Sequence, residues 1–161
     1  MTSTIKNLLI VGGLIAAGSI VLTTRKVTKL VAIFDKMTIK PSSFPRNIRL
    51  SFQQIRFNID IVLANPTRED FAVSGYVATL TQVAVFYKDN FLGVANVSID
   101  EISVPAYRTL ILKDIDIAVA TSTALNAIPG LITQMQTMSF MDDLKFTGVV
   151  EVLGSYYEIG N

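Results

Sequence analysis

The sequence predicts a mainly β chain, an antiparallel sandwich of about seven strands with one short helix in its C-terminal half, preceded by a single N-terminal transmembrane helix. Two observations carry this. From Ile55 onward, apolar and polar residues alternate with period two in several separate stretches, the pattern of half-buried strands. Between Lys6 and Arg25, by contrast, eighteen residues run without a charge, which as a helix would reach about 27 Å against a hydrocarbon core of roughly 30 Å.

The apolar segment contains Leu8, Leu9, Ile10, Val11, Leu14, Ile15, Ile20, Val21 and Leu22, the residues expected to form the membrane helix. Gly12 with Ala16 and Gly13 with Ala17 place small residues four apart, where a second helix could approach closely. A cleaved signal peptide with Ala16-Ala17-Gly18 at its cleavage site and a buried core helix are the alternatives. A retained span is the preferred reading, because the apolar run continues past that site through Leu22.

Charge is divided unevenly along the chain. Residues 1–50 hold eight Lys and Arg against Asp35 alone, and the remainder holds six basic and twelve acidic residues. A basic stretch next to an apolar one points to anionic headgroups rather than to nucleic acid. Arg25, Lys26 and Lys29 are the expected headgroup contacts. They outnumber Lys6 and the α-amino group by one charge, which places the folded domain on the cytoplasmic or inner side of a single-pass protein. Val27, Leu30, Val31 and Phe34 continue at helical spacing to Asp35, so an amphipathic stalk is expected along the interface. The division is thus residues 1–36 for the span and basic stalk and residues 37–161 for the sandwich.

Pro41 and Pro45 bracket a turn. Ile55, Phe57, Ile59, Ile61 and Leu63 then form the clearest strand. Val83, Val85 and Tyr87 lead through Lys88-Asp89-Asn90 into Phe91, Leu92 and Val94, a hairpin. Ile111, Lys113, Ile115, Ile117 and Val119 are expected on one face of the next strand, with Asp114 and Asp116 on the other. Leu125, Ile128, Leu131, Ile132, Met135 and Met138 recur at spacings of three and four, which predicts an apolar helical stripe with its main helix from about Pro129 to Met138. Leu144, Phe146, Gly148, Val150 and Val152 form a strand that Gly154-Ser155 turns into a last one, Tyr156 to Ile159.

The chemistry available is narrow. With no histidine, the usual general base near neutral pH and the commonest transition-metal ligand are missing, and with no cysteine there is neither thiol chemistry nor a disulfide framework. Asp100-Glu101, Asp114 with Asp116, and Asp142-Asp143 lack the spacing and glycine of a calcium loop. Gly148 and Gly154 precede no helix that could hold a phosphate. Asn96-Val97-Ser98 matches the glycosylation pattern inside an expected strand. Met135, Met138 and Met141 read as core filler before they read as a binding surface. No catalytic residue, cofactor or metal is expected, and the chain reads as not an enzyme.

One motif set has a family likeness. An alternating strand ends in Leu63-Ala64-Asn65-Pro66-Thr67, followed by the hairpin with Phe91-Leu92-Gly93, then Leu110 to Val119, a helix, and a strand with Phe146-Thr147-Gly148-Val149-Val150. This arrangement resembles the group-2 late embryogenesis abundant family, also called the WHy domain, over roughly residues 37–159. The resemblance implies an immunoglobulin-like or fibronectin-III-like sandwich, often behind a transmembrane helix, and carries no catalytic residues over. Asn65 and Pro66 are read as a turn, since Pro lacks an N–H and Asn bonds nearby backbone.

Three functions follow as expectations. The first is a non-enzymatic, membrane-anchored structural or interaction module, among them a minor membrane component of a virion or other large assembly. Its partners would be the lipid bilayer, other membrane or assembly proteins, and itself through the transmembrane helix, with no nucleic acid. The second is a tethered lipid-binding or lipid-transfer domain. An enzyme comes last.

Overall fold

The computed structural model describes residues 25–71, 78–100, 102–152 and 154–160. The expected membrane-helix residues from Leu8 to Leu22, and the packing residues Gly12, Gly13, Ala16 and Ala17, lie outside that range. Among the described residues, no helix is long and apolar enough to cross a membrane.

Helix α1 (Arg25–Phe34) is followed by strands β1 (Thr38–Pro41), β2 (Arg46–Leu50), β3 (Gln54–Ala64), β4 (Ala78–Tyr87), β5 (Asn90–Ile99) and β6 (Thr109–Ala120). Three short helices come next, α2 (Thr121–Ala127), α3 (Leu131–Gln134) and α4 (Met138–Asp143), then β7 (Leu144–Val152) and β8 (Ser155–Ile159). These eight strands, against about seven expected, build two antiparallel sheets that face each other. In the first, β1 and β2 pair successively with one side of β3 and β6 pairs with the other. The second runs β5-β4-β7-β8.

The alternation in β3 translates directly into packing. Ile55, Phe57, Ile59, Ile61 and Leu63 are all buried, and Arg56, Asn58 and Asp60 face outward. Facing them, Val83, Val85, Phe146, Val150 and Val152 complete the core between the sheets. Lys88 and Asp89 have φ of 47° and 67°. Two consecutive left-handed residues suit the twist of a tight hairpin between β4 and β5.

On β6 the expected alternation fails. Ile59 faces Ile115 and Ile61 faces Leu112, so three steps along β6 match two along β3. This β-bulge carries Asp114 at φ 55° and exchanges the faces before it. Leu112 is consequently buried, whereas Ile111, expected inside, is exposed.

The expected helix from Pro129 to Met138 is replaced by α2, α3 and α4. Gly130, at φ 71°, provides a left-handed corner before α3. Thr137 caps α4 by accepting from the Phe140 N–H at 3.2 Å. Because the segment turns twice, its buried set is Ala124, Ile128, Leu131, Met135 and Phe140, whereas Leu125, Ile132 and Met138 of the expected stripe are exposed. Asp142 and Asp143 close α4.

The two ends of the sandwich are closed differently. Helices α2 to α4 cover the end where β6 stops and β7 begins. At the opposite end α1 is no mere stalk, because Ile33 and Phe34 enter the core. The Phe34 ring meets Phe71 edge-on and stacks on Tyr157, both at 5.2 Å between centroids.

Candidate functional site

The signal residues of the Asn-Pro motif form a connected turn after β3. Asn65 is the one buried polar side chain among the described residues. Its Nδ2 donates to Glu69 O at 2.8 Å and Val104 O at 2.9 Å, and its Oδ1 accepts from the Thr67 N–H at 3.0 Å and Thr67 Oγ1 at 2.7 Å. Those bonds use both its donor hydrogens and both its acceptor positions. They tie the end of β3 to the Phe71–Val104 bridge, where the two residues exchange N–H to O bonds of 3.0 and 2.7 Å. Pro66 follows outside the ladder. Asn65 is therefore placed as a structural tie and has no free group to offer a ligand.

The outer face of the first sheet carries an ion network at the bulge. Arg46 reaches Asp60 through both terminal nitrogens, at 2.7 and 3.1 Å, and Asp114 at 2.7 Å. The Asp114 N–H donates to Asp60 at 2.9 Å. Hydrogen bonding from Arg46, then from the Asp114 backbone, holds the Asp60 carboxyl down to about 2, below its ordinary value. Asp116 on the same face pairs with Arg56. Because the folded chain depresses Asp60, its contribution is present above the ordinary carboxylate range and is lost as pH falls through about 2. The expected result is that unfolding midpoints measured from pH 5 to pH 2 fall less steeply in Asp60→Asn than in the parent. Parallel curves would separate Asp60 from the acid response.

The recess that could receive a partner lies along one open side of the sandwich. Strand β8 pairs only with Gly148–Val152, so Leu144–Thr147 of β7 have no strand on that side among the described residues. Across from them, β1 pairs with β3 alone. Between these two edges runs a half-open groove of about 1110 Å³. Phe44, Phe86, Phe91, Met138 and Met141 supply its apolar surface, and Phe86 and Phe91 meet edge-on at 5.6 Å. Its charged margin includes Lys40, the Lys145–Asp89 pair at 2.6 Å, Asp142 and Glu158. The Glu158 side chain makes no hydrogen bond or ion pair among the described residues, and partial burial pushes its carboxyl up.

Few of the residues singled out in the sequence meet in this groove. Met138 and Met141 line it, whereas Met135 is core. Arg25, Lys26 and Lys29 belong to α1, and Lys29 is exposed. Asn96, of the glycosylation pattern, is engaged on β5 by Gln82 at 3.1 Å. Phe44, Phe86, Phe91 and Glu158 had no site role in the sequence pattern, Phe91 standing there only as a hairpin residue. Phe86 and Phe91 carried a usable signal, since two large apolar side chains on the polar phase of a hairpin are out of pattern.

No family model matches this chain, and no curated protein matches it. Among solved structures, a crystal structure of a protein from Archaeoglobus fulgidus aligns at 8% identity, covering 79% of this chain and 96% of that one, with a TM-score of 0.32. Likeness at that level carries no argument about function.

Proposed function

We propose that this chain is a non-enzymatic, membrane-anchored interaction module that receives an extended segment of a neighbouring membrane or assembly protein in the groove beside β7. The observation that carries the reading is the groove bounded by two unpaired strand edges, β1 and Leu144–Thr147. A strand laid along such an edge gains main-chain hydrogen bonds and sets alternate side chains into pockets. Phe44, Phe91 and Met141 suit apolar side chains of the segment, and Glu158 suits a basic one. Anchoring rests on the uncharged run from Asn7 to Thr24 with Arg25, Lys26 and Lys29 after it. The non-enzymatic part rests on the absence of histidine and cysteine from the sequence. Resemblance to the WHy family supports the same layout of anchor and sandwich.

A tethered lipid-binding domain is the second reading, favoured by the volume and apolar lining of the same groove. The space between the sheets is filled by Phe57, Ile59, Leu80, Val85 and Phe146, so an acyl chain would lie along the groove and not between the sheets.

A photoreactive phenylalanine analogue at Phe91 or Met141 of the full chain, irradiated in native membranes, separates the two. Adducts with a discrete polypeptide are expected, and should disappear when Lys145→Asp and Phe44→Asp are added. Adducts with lipid alone would support the second reading, and adducts with neither would remove the groove from the function.

A further inference from the structure

We infer that the helical end of the sandwich, formed by α2, α3 and the β2–β3 hairpin, is a bilayer-contacting surface separate from the N-terminal apolar segment. Three observations meet there. Residues 117–141 and 50–55 contain no Asp, Glu, Lys or Arg, the first of them being the longest uncharged run in the sequence. Four of the nine exposed large hydrophobic side chains among the described residues, Leu50, Phe52, Leu125 and Ile132, belong to the hairpin, α2 and α3, which is where a soluble surface would carry its charges. The stretches are also stitched into one surface: Thr121 Oγ1 donates to Ser51 O at 2.8 Å and the Thr121 N–H to Gln53 O at 3.1 Å.

The shape and the charges select a bilayer over a protein. Phe52 stands at a hairpin tip with 105% of its reference surface exposed, touching nothing. A protein covering this tip and the neighbouring helices would need a matching hollow, whereas a fluid bilayer accepts any convex apolar projection. Ser51 and Gln53 at the tip, and Thr121, Thr123 and Asn126 of α2, are neutral, so inserting the tip itself strips no ion of its water. Arg49 is the nearest cation in sequence to the tip and is exposed, with no ion pair among the described residues. Lipid phosphate complements it.

The surface lies at the far end of the sandwich from α1. Strand β3, with eleven residues, runs between the two ends, a separation of about 35 Å. A domain held by its N-terminal segment would therefore present Phe52 and Leu125 to a second bilayer or, tilted over, to its own. This inference does not depend on the groove, which opens on the side of the sandwich.

Because the chain has no cysteine, single-site labelling is clean. Phe52→Cys, Leu125→Cys and, at the opposite end, Tyr107→Cys would each be labelled with the environment-sensitive fluorophore NBD in the full chain, reconstituted into phosphatidylcholine vesicles. Doxyl-labelled phosphatidylcholine is placed in the host vesicles in one arm and in added protein-free vesicles in the other. Quenching at 52 and 125 several-fold above that at 107, in either arm, is the expected result, and Leu50→Ser with Ile132→Ser should abolish it at 125. Equal quenching at all three positions, or none at 52 and 125, overturns the inference. So does a blue shift that grows with protein density without doxyl quenching, which would assign the surface to contact between proteins.

Discussion

Phe34→Ala is expected to destabilise the folded domain by about 3–5 kcal/mol, the range for truncating a buried phenylalanine whose site collapses only partly. Phe34 is 1% exposed and wedged between Phe71 and Tyr157. Both neighbours belong to distant parts of the chain, so the lost contacts are tertiary ones that a helix at a lipid interface would lack. Urea denaturation of a chain beginning at Arg25, with and without the substitution, measures the difference. A chain beginning at Lys36 should lose at least as much, because Ile33 leaves with Phe34. If removing residues 25–35 left the midpoint unchanged, α1 would be a stalk after all and the folded unit would begin later.

Asn65→Asp should be comparably damaging at neutral pH and less so in acid. Aspartate keeps the shape and can still accept from Thr67, but it faces Glu69 O and Val104 O with acceptors where the amide had two donors. Val104 O keeps the Phe71 N–H and Glu69 O keeps Thr67 Oγ1, so the loss is that of two amide hydrogen bonds, about 0.5–1.5 kcal/mol each, and a buried carboxylate set against two carbonyl oxygens adds to that. Protonation restores one donor, so the deficit relative to the parent should shrink as pH falls from 7 to 4. Asn65→Ala removes donors and acceptors together and should show no such recovery. Unfolding midpoints of the three proteins at both pH values test this; a pH-independent deficit in Asn65→Asp would mean that the side chain turns outward to water.

Where burial repeats locally, the sequence was readable. Ile55 to Leu63 alternate because one face of β3 meets the core at every second residue, and nothing along those residues breaks the period. The β4–β5 hairpin was legible from Lys88-Asp89-Asn90 for a similar reason, since turn chemistry is a property of adjacent residues. Asn65 announced a turn. Its bond to Val104 O, thirty-nine residues on, was not announced.

Other features needed partners that the linear pattern does not name. The bulge that buries Leu112 in place of Ile111 is held by Arg46 and Asp60, and a one-residue slip reverses every face before it. The stripe from Leu125 to Met138 satisfied a helical period. The left-handed corner at Gly130 instead lets three short helices follow the curved end of the sandwich, with a different set of residues inside.

The groove beside β7 arises because β8 stops pairing at Gly148, a shortfall that exists only once the strands have been assigned their neighbours. The sequence by itself determined the inward residues of β3 and β7 and the absence of histidine and thiol chemistry, because periodicity and composition are local properties. Tertiary structure alone decided which ends are closed, which apolar residues remain outside and where a partner could lie, because those depend on contacts between residues far apart in the chain.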